Sequence, residues 1–191
     1  QVPDSLRLKN SKLKDLRINN NEVINDLQLY NCKLDDIYIN GNVVVDKYDF
    51  NYLQASDMYF SNNIGQLLSI TNGNFSELNC TECFQLGDTN FSRINVDRGM
   101  KFTDNHVLEE IFLHSCNVGQ DLLVEYNTAK NTKLIKSDTG NIIFHRNFLS
   151  EIMNIRKVRL LISARHRQPA IALTAGPETL IIRRIHRHPS P

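Results

Sequence analysis

Apolar residues recur in pairs, separated by one polar residue, every ten or eleven positions along most of this chain. The clearest pairs are Leu6/Leu8, Leu16/Ile18, Leu27/Leu29, Ile37/Ile39, Tyr48/Phe50, Met58/Phe60, Leu68/Ile70 and Leu78/Cys80. A less regular continuation runs through Thr89/Phe91, Met100/Phe102, Ile111/Leu113, Leu122/Val124, Leu134 and Ile142/Phe144. Alternate side chains of a strand face the same way, whereas a helix needs apolar positions three and four apart. The pattern therefore predicts short strands arranged in a repeat of about twenty residues.

Each repeat divides further into steps of five residues, such as Leu8, Leu13, Ile18 and Val23. Four steps, sometimes with one extra residue, make one coil, and about seven coils fit between residues 5 and 145. Equivalent positions form two inward rows, namely Leu8, Leu29, Phe50, Ile70, Phe91, Leu113, Leu134 and Ile18, Ile39, Phe60, Cys80, Phe102, Val124, Phe144. Strands this short bury their apolar faces only when coil stacks on coil.

Polar turn residues separate the apolar pairs, as in Asn19-Asn20-Asn21, Asn40-Gly41-Asn42 and Ser61-Asn62-Asn63. Such residues tolerate the left-handed backbone and bond their own chain. Asn21, Asn42 and Asn63 are twenty-one residues apart, as are Asp15, Asp36 and Asp57. Stacked amides can form ladders, and we interpret the aspartate row as solvated corner surface.

These five-residue steps resemble the pentapeptide-repeat family, in which units with a central Leu or Phe stack into a right-handed square β-helix. The resemblance covers about three quarters of the chain. The residue two before each centre is often larger here than the small residue of the family, as at Leu6 and Ile37. The resemblance implies an all-β fold, a right-handed quadrilateral (pentapeptide-repeat-like) β-helix solenoid of about seven coils.

The chain changes character near its C-terminal end. We assign residues 1–146 to the solenoid and 147–162 to a capping helix, because the apolar residues there have rough helical spacing: Phe148, Leu149, Ile152, Ile155, Val158 and Ile162. In residues 163–191 Lys and Asn give way to Arg, His and Pro. We interpret this basic tail as non-native or frameshifted sequence without fixed structure; an evolved arm that binds polyanions is the alternative. For Thr179-Leu180-Ile181-Ile182 two interpretations stay open, a further strand and a mobile segment.

Composition limits the function classes. The formal net charge is +1, so no strong overall field favours nucleic acid as a partner. No stretch of eighteen apolar residues exists, and no membrane span is expected. No secretory signal is visible, and the expected location is the bacterial cytoplasm, with secretion into a host cell left open.

Candidate chemistry is sparse. Cys80-Thr-Glu-Cys83 is a CxxC pair, but a zinc site needs a second pair or nearby histidines. We expect these thiols, with Cys32 and Cys116, to be ordinary core residues. The histidines are far apart or in the tail: His106, His114, His145, His166, His186 and His188. We therefore predict no catalytic, cofactor-binding or metal-binding residues, no cofactor and no enzymatic activity.

The leading hypothesis is a non-enzymatic scaffold that binds a protein partner, a host protein being one case. Such solenoids resemble those of type III secreted effectors of enteric bacteria, some of which carry a HECT-like ubiquitin ligase after the solenoid. The last cysteine here, Cys116, lies within the coils. The resemblance thus implies the recognition part of a secreted virulence effector that lacks its catalytic domain. Strand edges at a solenoid end also allow a homodimer.

Two alternatives remain open. Gyrase-binding pentapeptide-repeat proteins mimic DNA, which requires dense negative charge, whereas the aspartate row here is interleaved with Lys and Arg. A polysaccharide-active β-helix enzyme needs long loops that build a cleft, whereas the insertions between coils here are single residues.

Overall fold

The computed structural model describes residues 5–21, 24–145, 147–156, 159–160, 170–176 and 179–185. The regular structure in these ranges is entirely β-strand: β1 (Ser5–Lys9), β2 (Asp15–Asn19), β3 (Ile24–Tyr30), β4 (Asp36–Asn40), β5 (Val43–Asn51), β6 (Gln54–Ser61), β7 (Ile64–Thr71), β8 (Asn74–Thr81), β9 (Phe84–Gln85), β10 (Thr89–Ser92), β11 (Asn95–Val96), β12 (Met100–Thr103), β13 (His106–Val107), β14 (Glu110–His114), β15 (Asn117–Glu125), β16 (Thr128–Ile135), β17 (Asp138–His145), β18 (Phe148–Arg156), β19 (Arg159–Leu160), β20 (Ala170–Gly176) and β21 (Thr179–Ile185). Among these residues no helix has the length and apolar character needed to cross a membrane.

The strands form two sheets, and the chain passes from one to the other in every half coil. The first sheet runs β1-β3-β5-β7-β10-β14-β16, with β18 on β16 and with β9 and β13 on one flank. The second runs β2-β4-β6-β8-β11-β15-β17, with β12 between β8 and β15. Pairing is parallel except where β21 meets β17 and β20. The fold is therefore an all-β parallel solenoid of about seven turns, as the repeat predicts.

Strand register confirms both predicted inward rows. In the first sheet Leu8 lies opposite Leu29, Leu29 opposite Phe50, and so on through Leu113 opposite Leu134. In the second sheet the row runs in the same way from Ile18 to Phe144. From the second coil onward the side chains of both rows are buried. One continuous apolar column thus fills the solenoid along its axis.

From β1 to β16, a residue with left-handed backbone follows every strand of four or more residues. Positive φ angles occur at Asn10, Asn20, Asn31, Gly41, Tyr52, Asn62, Asn72, Glu82, Arg93, Asp104, Ser115, Tyr126 and Lys136. Asn and Gly tolerate this conformation, and they occupy most corners of the first four coils. A Cβ atom at Gly41, where φ is +67°, would also lie 2.4 Å from Oδ1 of Asn20. Later corners carry side chains such as those of Glu82 and Lys136, for which the conformation is strained.

Asparagines at equivalent positions of successive coils form the ladder that their spacing predicts. The Nδ2 group of Asn21 donates to Oδ1 of Asn42 at 2.8 Å, and that of Asn42 donates to Oδ1 of Asn63 at 3.1 Å. Backbone N–H groups of Asn21 and Asn42 donate to the same oxygens at 3.0 Å. A second run links Asn105, Asn127 and Asn147 in the same way. The ladder satisfies polar groups that burial would otherwise leave without water.

Cys83 interrupts this ladder between Asn63 and Asn105. Its backbone N–H donates to Oδ1 of Asn105 at 3.0 Å, as an asparagine there would. Its thiol, however, supplies no amide oxygen to accept from Asn63, and lies 3.7 Å from the carbonyl oxygen of Phe60. The two runs of asparagines are therefore separated by one rung.

The C-terminal part differs from the sequence-based prediction. The predicted capping helix, 147–162, is wrong for Phe148–Arg156, which form strand β18. Ile155 pairs with Leu134 and packs, half-buried, against the core. The edge of β16 offers unpaired backbone groups, and the apolar spacing that fits a helix also fits one more rung. Of the rest of that range, Asn147 and Arg159–Leu160 are described, and the other residues lie outside the described ones.

The predicted basic tail, 163–191, contains described structure. Strands β20 and β21 pair antiparallel, and β21 also pairs antiparallel with β17. Residues 179–182, left open as a strand or a mobile segment, belong to β21, whereas the strand at Ala170–Gly176 differs from the expected absence of fixed structure. The remaining tail residues, and residues 1–4, lie outside the described ranges. The non-native origin of the tail stays a prediction.

Restoring the ladder should stabilise the protein. We expect Cys83→Asn to raise the free energy of unfolding by about 1–2 kcal/mol, because it adds two or three buried amide hydrogen bonds at nearly constant volume. Urea unfolding followed by circular dichroism measures the change. Cys83→Ala, which removes the thiol and adds no amide, is the control and should show no gain. A Cys83→Asn protein no more stable than the wild type would contradict the ladder account.

Relief of corner strain gives a second prediction. Lys136 has φ of 51° and an exposed side chain. Glycine loses more entropy on folding than alanine but avoids the steric cost of the left-handed region. We expect Lys136→Gly to be more stable than Lys136→Ala by about 0.5–1 kcal/mol, measured as the shift in the urea midpoint. Equal midpoints would show that this corner is unstrained.

Candidate protein-binding surface

The cysteines are buried in the column. Cys32, Cys80, Cys83 and Cys116 are all free thiols with almost no exposed surface. Burial raises the pKa of Cys116 to about 12 and also raises the pKa of Cys80 well above its usual range. The thiolate is the nucleophile and the metal ligand. At neutral pH these two thiols are therefore protonated and shielded from substrates.

The histidines of the solenoid lie apart. The ring of His114 stacks on Phe112 with centroids 5.7 Å apart, the ring of His106 lies 6.1 Å from Phe84, and the ring of His145 lies 5.6 Å from Tyr126. His166, His186 and His188 are outside the described residues. Within the described ranges, no group of three His, Cys, Asp or Glu side chains is placed to hold a metal ion.

The aspartate row lies on the outer face of the second sheet. Asp15, Asp36 and Asp57 are register partners, and Glu77 continues the row. The guanidinium of Arg98 lies 2.7 Å from Oδ1 of Asp57 and 3.7 Å from Oε2 of Glu77. The hydrogen bond and charge of Asp57 raise the pKa of Arg98. Neighbouring cations thus neutralise part of this row.

A stack of aromatic rings runs beside the row. The rings of Tyr38 and Tyr59 are 5.2 Å apart and nearly parallel, and the guanidinium of Arg17 lies 4.9 Å above Tyr38. The hydroxyl of Tyr38 donates to Oδ2 of Asp36 at 3.4 Å. Asp36, Asp57 and Glu77 therefore have partners within the face itself.

An exposed apolar stripe lies on the short side of the solenoid that leads from the second sheet into the first. We define the apolar stripe as Ile64, Phe84, Leu86 and Leu108, whose side chains are 44%, 37%, 52% and 50% exposed. Ile64 pairs with Phe84. Leu86 donates its N–H to Gly65 and Leu108 to Gln85, so the two leucines lie on successive rungs. The four side chains therefore form one contiguous patch across three rungs.

Strand alternation explains why these apolar side chains face outward. Gly65, Gln85 and Val107 take the inward positions on the same rungs, between the residues of the stripe. Gln85 is buried, and both polar atoms of its side-chain amide lack a hydrogen-bond partner. A polar residue thus faces the core while Phe84 and Leu86 face solvent. This arrangement reverses the usual pattern, in which apolar residues face the core and polar residues face solvent.

Carboxylates surround the stripe. We define the acidic rim as five exposed residues, Asp46, Glu82, Asp88, Asp104 and Glu109. Glu82 and Asp104 occupy the left-handed corners two residues before Phe84 and His106. Asp88 and Glu109 follow Leu86 and Leu108 on the other side. Among the described residues, only Glu109 of the rim forms an ion pair, with Lys130 at 3.5 Å.

Comparison with known proteins gives no relative. No protein-family model matches the chain, and no curated protein and no solved structure matches it either. The fold and the surface chemistry are therefore the basis for a functional assignment.

Sequence reasoning missed the apolar stripe. It followed the central positions of the five-residue steps. At two of these positions, Gly65 and Gln85, the large apolar residue typical of the repeat is missing. The signal that could have found the stripe is Phe84-Gln85-Leu86, in which an inward polar residue is flanked by two outward apolar ones. Because the repeat fixes which positions face inward, apolar residues on both sides of them indicate exposed apolar surface.

Stripe substitutions should leave the fold intact. We expect Leu86→Ser and Leu108→Ser each to lower the free energy of unfolding by less than about 1 kcal/mol, since half of each side chain is already in solvent. Leu78→Ala, in the buried column, should cost about 2–5 kcal/mol. Urea unfolding of the three variants compares them. A Leu86→Ser protein as unstable as Leu78→Ala would place the stripe in the core.

Proposed function

We propose that this protein is a non-enzymatic binding module that holds a protein partner against the apolar stripe. The single observation that supports this proposal is the contiguous, half-exposed patch of Ile64, Phe84, Leu86 and Leu108 on a regular scaffold. Large exposed apolar patches, especially with polar rims, mark protein interaction sites. The fold fits such a role, because solenoids offer partners extended, regular surfaces.

The scaffold is suited to presenting this surface without rearrangement. Seven coils at a strand spacing of about 4.8 Å give a rod roughly 30–35 Å long. The three rungs that carry the stripe hydrogen-bond to one another through their backbones. A surface held in place in this way loses little conformational entropy when it binds.

A finer proposal is that the chain is the recognition part of a secreted bacterial virulence effector. The resemblance to type III effectors supports it, together with the burial of Cys116, the last cysteine, in the column. A host protein would then be the partner. Location in the bacterial cytoplasm or in the host cell stays a prediction.

Neither alternative function gains support from a particular observation. The carboxylates that a DNA mimic would need are partly neutralised, since Arg98 contacts both Asp57 and Glu77. A groove of about 460 Å³ lies along the other short side, beside Gln54 and Asn74. It is shallow and open, and a polysaccharide-active enzyme needs an enclosed cleft with catalytic carboxylates.

A capture experiment with matched variants tests the binding function. The wild type, Leu86→Ser/Leu108→Ser and Tyr30→Ser/Tyr52→Ser are immobilised and exposed to host-cell lysate. The tyrosine pair is the control, because its side chains are 43% and 51% exposed at a different corner. Any protein retained by the wild type is then purified and titrated by calorimetry. We expect the stripe variant to bind it at least tenfold more weakly and the control within twofold.

The proposal has a clear negative result. If every retained protein binds the stripe variant as tightly as it binds the wild type, the apolar stripe is not the binding site. If the wild type retains no protein reproducibly, the binding function itself is wrong.

A further inference from the structure

We propose that the apolar stripe and the acidic rim together recognise a basic amphipathic segment of the partner, with apolar side chains at its centre and Lys or Arg at both ends. This inference rests on the proposed function and adds the chemistry of the partner. It depends on the contrast between an apolar centre and carboxylates on both flanks.

The dimensions of the stripe suit a short segment. Phe84 lies in β9 and Leu86 directly follows that strand, so the two side chains are about 7 Å apart, and Leu108 lies about 4.8 Å further along the axis. Two apolar side chains of a partner can cover this area. Asp88 is six residues after Glu82, so the distance between them is at most about 20 Å. A segment of about seven extended residues therefore reaches from one flank of the rim to the other.

The charges around the stripe determine which charge a partner segment should carry. The whole chain has a formal net charge of only +1, so its overall charge does not favour basic partners. The rim, by contrast, concentrates five carboxylates around one patch, and the only cation paired with them among the described residues is Lys130. Complementary charge around an apolar centre steers encounter and fixes orientation. Lys or Arg at the ends of the segment would neutralise Glu82 and Asp104 on one flank and Asp88 on the other.

The same charges disfavour other occupants. An acidic or acid-flanked segment would bring like charges together at the rim, and such juxtaposition is costly. If a second copy of this chain docked stripe to stripe, its acidic rim would lie against the acidic rim of the first copy. A two-fold dimer through this surface is therefore disfavoured, although its apolar patch is self-complementary.

Labelled peptides test the inference with the full chain. The first probe is a nine-residue peptide, Lys-Lys-Ser-Leu-Ser-Leu-Ser-Lys-Lys, the second replaces every Lys by Glu, and the third replaces both Leu by Ser. Fluorescence anisotropy measures each Kd. We expect the first to bind at least tenfold more tightly than the other two. Its affinity should fall between about 0.1 M and 1 M salt, where the screening length drops from about 10 Å to about 3 Å.

Protein variants separate the two parts of the site. Leu86→Ser/Leu108→Ser should weaken the first peptide at least tenfold. Glu82→Gln/Asp104→Asn should weaken it severalfold and reduce the salt dependence, with the fold kept because Asn suits the left-handed corner at residue 104. Asp15→Asn/Asp36→Asn, on the outer face of the second sheet, is the matched control and should leave the Kd unchanged.

The outcomes distinguish this inference from the proposed function. If the glutamate peptide binds as tightly as the lysine peptide, or if the rim variant has unchanged affinity and salt dependence, the charge selection is wrong. If no peptide binds while a captured protein still requires Leu86 and Leu108, the partner presents no basic segment and only the binding function stands. Self-association of the full chain that Leu86→Ser/Leu108→Ser abolishes, seen by sedimentation, would assign the stripe to a second copy and overturn the inference.

Discussion

Backbone hydrogen bonding between each coil and the next is the constraint on which the rest of this structure depends. No strand segment is long enough to be stable alone, and the strands of the solenoid are fixed by parallel partners twenty to twenty-two residues away. That register brings like side chains into contact, so one apolar column runs along the axis. The same register stacks Asn42 on Asn63 and Tyr38 on Tyr59. The apolar core, the asparagine ladder and the rows of surface side chains all follow from this register, which repeats from coil to coil along the axis.

Most buried polar groups of the described residues are hydrogen-bonded, and the exceptions are concentrated on one rung in the middle of the solenoid. The asparagine ladder meets the hydrogen-bonding needs of the corners that it lines, but Cys83 breaks it. Two residues later the buried amide of Gln85 has no partner. Both departures lie on the rung that carries Phe84 and Leu86. The regular repeat is therefore least well satisfied on the rung where the surface is most apolar, and local departures from consistency are expected at functional sites.

A rigid solenoid leaves its outward positions free to vary, and these positions carry the function that we propose. On the outer face of the second sheet, the outward positions carry paired charges and stacked rings. On the short side between the sheets, the outward positions carry the apolar stripe and the acidic rim. Because about half of the stripe is exposed to solvent, its apolar character is better explained by a partner than by the fold.

The sequence by itself determined the repeat, the two inward rows and the asparagine ladder, because a period that persists over seven coils leaves few ways to bury the apolar positions. It misassigned Phe148–Arg156, since the spacing of their apolar residues fits both a helix and a rung, and only the open edge of β16 decided between them. The stripe also required the tertiary structure. Ile64, Phe84, Leu86 and Leu108 are spread over forty-five residues, and only the stacking of rungs, which places Gly65 and Gln85 inside, turns them into one exposed surface with carboxylates on both flanks.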